Sequence, residues 1–72
     1  MRYSMAELLG MFMDRAGKDG LTEFDVYTVM GYCNIGYLKA RAVISLGLAK
    51  GVFRETGRGK YSIYSMGGGS SD

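Results

Sequence analysis

The chain has 72 residues, 47% of them hydrophobic and 22% charged, and its nine basic and seven acidic side chains leave a formal net charge of +2. That length holds one small domain with a thin core, and a single cysteine excludes an intramolecular disulfide to reinforce it. With no histidine there can be no Ser-His or Cys-His pair, and the carboxylates fall in no recognisable acid–base or metal-ligand spacing, so neither an enzyme nor a cofactor or metal is expected.

No stretch approaches the roughly 18 consecutive apolar residues of a membrane span, and Met1-Arg2-Tyr3-Ser4 lacks the apolar run of a secretory leader. A soluble cytoplasmic protein without a membrane partner is the expectation. There is no glutamine and one asparagine, a depletion of heat-labile residues found in thermophiles, against which stand six methionines.

In chain order, Ser4-Met5-Ala6-Glu7 is a capping box that starts a first helix, with Tyr3 and Leu8 as a hydrophobic staple. Met5, Leu8, Leu9, Phe12 and Ala16 recur at the spacing of one buried face, and Gly17 is the expected stop. Lys18-Asp19-Gly20 reads as a turn. Leu21 then precedes Thr22-Glu23-Phe24-Asp25, a second box that predicts a short helix from Glu23 to Met30, with Phe24, Tyr27 and Met30 on one face and Gly31 as its stop. Tyr32-Cys33 makes a turn into a third cap at Asn34. Cys33 is a small buried thiol between helices, a redox sensor, or a link that could tie a dimer.

The third helix is predicted from Ile35 to Lys50 and is apolar on two sides: Tyr37, Ala40, Ile44 and Leu48 on one, Ile35, Leu38, Ala42, Leu46 and Ala49 on the other. Gly47 either permits close packing or ends the helix early; Gly51 is the favoured stop. Val52-Phe53-Arg54-Glu55 and Lys60-Tyr61-Ser62-Ile63-Tyr64 then flank Thr56-Gly57-Arg58-Gly59 as a β-hairpin, with Tyr61 and Ile63 turned to the helices. The domain is expected to span 1–65, and the Gly/Ser-rich 66–72 to be a flexible tail.

Charge divides along the chain. Residues 1–35 carry three basic side chains against five acidic, and residues 36–72 carry six against two, a pattern that points to a surface meeting a polyanion. The opening of the third helix offers Asn34, Gly36, Tyr37, Lys39 and Arg41. Asn34 is a base reader or a plain cap, Tyr37 a base reader or half core, and Gly36 a place for close backbone approach to a phosphate or a small residue in a tight corner. The hairpin adds Arg54, Arg58 and Lys60, with Arg58 between two glycines at its tip.

The order of helix, short helix, turn, longer helix and hairpin over Leu21 to Tyr64 resembles the winged helix-turn-helix family. The residues that carry the resemblance are Asn34-Ile35-Gly36-Tyr37, Ala40, Ile44, Leu48, Lys50-Gly51-Val52-Phe53 and Gly57-Arg58-Gly59-Lys60-Tyr61. These are similar to archaeal winged-helix regulators, including small ones carried by archaeal viruses and plasmids. The resemblance implies an α+β fold of three helices followed by a two-stranded wing. It also implies a sequence-specific transcription regulator, most simply a repressor, in the cytoplasm or in that of the host. The third helix would enter the major groove of double-stranded DNA and the wing would lie on the backbone or in the minor groove. Asn34, Gly36, Tyr37, Lys39, Arg41, Arg54, Arg58 and Lys60 are then the expected DNA-binding residues. Leu38, Ala42 and Leu46 depart from that pattern. Either they touch thymine methyl groups or they form an interface; a homodimer on DNA is expected, and a protein–protein interaction module is the alternative.

Overall fold

The computed structural model describes residues 2–64, so the expected tail at 66–72 lies outside the described residues. Those residues form an α+β arrangement of three helices and one antiparallel sheet. The order is α1 (Met5–Asp19), β1 (Glu23–Phe24), α2 (Val26–Cys33), α3 (Tyr37–Ala49), β2 (Phe53–Gly57) and β3 (Lys60–Ile63). Among the described residues no helix is long and apolar enough to cross a membrane.

The capping box opens α1 as predicted. Ser4 Oγ accepts from the Glu7 N–H at 3.1 Å, and Glu7 Oε1 accepts from the Ser4 N–H at 2.8 Å. Leu8, Leu9, Phe12 and Ala16 are buried on the expected face, with Met5 packed at its edge. The helix does not stop at Gly17: it continues through Lys18 and Asp19 and closes at Gly20, whose φ of 72° is left-handed. There the Leu21 N–H donates to the Ala16 carbonyl at 2.8 Å and the Gly20 N–H to the Gly17 carbonyl at 3.2 Å. This termination folds the next residue back onto the helix, which favours an apolar residue directly after the left-handed one. Leu21 meets that condition after Gly20; Lys18 does not after Gly17.

The second box is placed differently from the prediction. Thr22 caps nothing, and Glu23–Phe24 are a strand rather than the first turn of a helix. Asp25 is the cap: its Oδ1 accepts from the Thr28 N–H at 3.0 Å, and Thr28 Oγ1 accepts from the Asp25 N–H at 3.4 Å. An extended Phe24 puts its ring 4.9 Å from that of Phe12 and 4.7 Å from that of Phe53, so burial of this aromatic outweighs the local cap signal at Thr22. With the start displaced, Val29 and Cys33 turn inward while Tyr27 is 67% exposed. The helix passes Gly31 and ends at Asn34, left-handed at φ 55°.

Asn34 is therefore the C-terminal cap of α2, not the N-cap of α3. Ile35 folds back as Leu21 does, donating to the Met30 carbonyl at 3.2 Å, and Gly36 becomes the N-cap of α3. That helix is shorter than the predicted 35–50, and Gly51 closes it at φ 78° as expected. Gly47 lies within it and is buried, and a Cβ there would overlap the Phe53 ring, so this glycine permits close packing of β2 on the helix. The buried face combines Ala40, Val43, Ile44 and Gly47, and Leu46 is partly covered by the core. Leu38, Ala42 and Ala49 are exposed.

The hairpin is present, with a register irregularity between Glu55 and Gly57, but the sheet has three strands, not two. Central β3 pairs β2 through Phe53↔Ile63, Arg54↔Ser62 and Glu55↔Tyr61, and pairs β1 through Glu23↔Ser62 and Phe24↔Tyr61. The third strand exists because Phe24 is drawn into the core from an extended backbone, which leaves its peptide groups beside the free edge of β3. All three phenylalanines of the chain meet in one edge-to-face cluster that joins α1 to both ends of the sheet.

Candidate functional site

Between Asp25 and Glu55 the sequence contains no acidic residue, while Lys39, Arg41, Lys50 and Arg54 fall in that span. The span comprises α2, the turn and α3, so the surface of these elements bears cations alone among its formal charges. The outer face of α3 is where several predicted residues project.

Gly36 sits at the start of α3 in an extended conformation and makes no side-chain cap; its carbonyl accepts the first helical bond, from the Ala40 N–H at 3.0 Å. One turn apart, Tyr37 and Arg41 are brought together. The Arg41 guanidinium donates to the Tyr37 hydroxyl at 3.5 Å and lies 5.8 Å from the centre of that ring. The Tyr27 ring of α2 stands 6.2 Å from Tyr37.

Tyr37, Arg41, Ser45 and Leu48 form one wall of a groove whose other wall includes Gly59 and Tyr61 of the hairpin. Its lining contains no carboxylate. Arg58, exposed beside Gly59 at the tip of the turn, has no side-chain hydrogen bond or ion pair to another described residue. Helix and hairpin thus flank a single cleft, with Arg41 in its lining and Arg58 next in sequence to its lining residue Gly59.

Other predicted residues lie elsewhere. Lys39 and Asn34 line a second, separate groove with Arg2, Tyr3 and Ile35, where the start of the chain runs past the beginning of α3. Strand alternation turns Arg54, paired with Ser62, to the face opposite Tyr61. There its guanidinium covers the Tyr64 ring at 4.3 Å. Lys60 borders Glu23, Asp25 and Thr28 rather than α3. The Asp25 carboxyl is held below its ordinary value, chiefly by the Thr28 N–H and hydroxyl, with a smaller contribution from the Lys60 charge. Lys60 accordingly has acidic neighbours, which weakens its attraction for an anion.

Sequence reasoning missed Ser45, Arg2 and Tyr3. Ser45 was within reach of it, since Tyr37, Arg41 and Ser45 recur every four residues and share a helix face. Arg2 and Tyr3 give no such signal, because only packing brings the first residues beside Lys39. Cys33 is buried, its thiol pointing at the Leu8 carbonyl at 3.6 Å, and burial pushes its pKa up against a smaller opposing effect of Arg15. Comparison with known proteins finds no matching family model, curated protein or solved structure.

Proposed function

We propose that this chain is a winged-helix protein that binds double-stranded DNA, with α3 in the major groove and the β2–β3 turn on the adjacent backbone or minor groove. The observation that carries the reading is the carboxylate-free cleft with Arg41 on its helical wall and Arg58 beside its hairpin wall. An α-helix fits the major groove, and cations on a neighbouring loop hold the flanking phosphates. Tyr37, Arg41 and Ser45 face the base edges. The Gly36 backbone stands close to a phosphate, and Lys39 with Arg2 and Asn34 holds the strand beyond the other flank of the helix. Arg54 and Lys60 contribute less, the first being engaged with Tyr64 and the second bordered by carboxylates. Regulation follows from occupancy of a promoter, most simply as repression, and needs no chemistry by the protein.

Titration of labelled duplex DNA across a salt series tests this. The logarithm of the binding constant should fall linearly with the logarithm of salt by about 0.9 per phosphate contacted, and Arg58→Ala and Lys39→Ala should each flatten the slope by roughly one unit. Lys18→Ala, in the exposed pair with Asp14 on α1, should leave the slope unchanged. Absence of binding at low salt would overturn the proposal.

A further inference from the structure

Leu38 is 81% exposed, more than any other large apolar residue among those described. Leu38, Ala42, Ser45 and Ala49 recur at intervals of four, three and four along α3, so they share the face directed away from buried Ala40, Val43, Ile44 and Gly47. Leu46, which the sequence groups with them, is instead partly covered by the core. What remains outermost is one leucine, two alanine methyls and a serine, with Arg41 beside them toward the hairpin and Lys39 on the other flank. An interface between proteins needs about 800 Å² from each partner, far more than one leucine and two methyls supply. A cation on each side of an apolar ridge suits a polyanion whose recessed surface is itself partly apolar.

The major groove of DNA has that character, because thymine places its C5-methyl group on the groove floor between two rows of phosphates. Resting on the DNA-binding reading above, we infer that Leu38 and Ala42 read thymine by contact with its methyl group, so that part of the sequence preference of this protein is apolar rather than hydrogen-bonded. Ser45 is the outward polar side chain in the row, and Arg41 stands at its edge beside Tyr37. The inventory at the centre of the helix is therefore short of the paired donors and acceptors that read guanine or adenine.

Uracil differs from thymine in this groove by the methyl group alone, which makes the test specific. The full chain would be titrated against a short alternating A·T duplex and against the same duplex with every thymine replaced by uracil, at one low salt concentration and then across a salt series. The expected result is tighter binding of the thymine duplex by about fourfold for each methyl group in contact, corresponding to about 0.8 kcal/mol per buried carbon, with the same salt slope for both. In Leu38→Ala that ratio should fall toward one; the side chain is exposed, so circular dichroism should show an unchanged fold. Equal affinity of the wild type for the two duplexes, with a clear salt slope, would overturn the methyl reading while DNA binding stands. No binding to either duplex at low salt would overturn both.

Discussion

Gly47 shows how one missing carbon can set the packing of two elements. In an exposed helix interior, glycine to alanine stabilises by up to about 1 kcal/mol, but here the added Cβ would run into the Phe53 ring. Gly47→Ala should therefore destabilise by about 1–3 kcal/mol through overpacking, measured by urea unfolding. Asp25 offers a second test, since its carboxylate caps α2 through the Thr28 N–H. Asp25→Ala should cost about 1 kcal/mol at neutral pH. The folded-state pKa lies below the ordinary 3.8, so the charged cap's contribution is complete above that value and is lost as pH falls through the lowered one. The gap between wild type and variant should narrow correspondingly in acid. Cys33, buried with a raised pKa, should react with thiol reagents far more slowly in the folded chain than in urea. Such a thiol is a packing residue, which agrees with one of the three roles open to it from sequence.

At the scale of elements, the three helices end alike: Gly20, Asn34 and Gly51 are each left-handed, and each is followed by an apolar residue, Leu21, Ile35 or Val52, that folds back onto its own helix. Reading the first available glycine as the stop misplaces two of the three ends. Gly17 and Gly31 precede Lys18 and Tyr32 and lie inside helices with open space where a Cβ would stand. The consequence is a pair of predictions of opposite sign. Gly17→Ala and Gly31→Ala should each raise stability by up to about 1 kcal/mol, whereas Gly20→Ala should lower it by about 1–2 kcal/mol because the left-handed backbone clashes with a Cβ. Thermal unfolding of the three variants checks the signs together. The helix starts show the same division. The box at Ser4 is as predicted because its partner residues are adjacent in sequence, while the box at Thr22 loses to Asp25 because Phe24 is needed in the core.

Across the whole molecule, stability and the proposed function rest on different forces. The aromatic cluster of Phe12, Phe24 and Phe53 ties α1, β1 and β2 together, and Phe53→Ala should cost about 3–5 kcal/mol. Among the described residues the single ion pair, Lys18 with Asp14, is exposed on both sides and adds little. Raising salt should therefore shift the unfolding temperature only slightly while it weakens DNA binding steeply. Both can be followed on one preparation, by calorimetry and by titration. The amino-acid sequence by itself determined the three helices and their order, the buried face of α1, the hairpin and the concentration of positive charge after residue 35. These depend on periodicity, caps and turn residues that interact within a few positions of one another. The tertiary structure alone decided that Glu23–Phe24 would extend and pair with β3, that Arg41 would share a cleft with the hairpin while Lys39 faced another, and that Leu46 would turn toward the core while Leu38 stayed outside. Each of those outcomes depends on burial against residues distant in the chain, a long-range contribution that outweighs the local preferences a sequence displays.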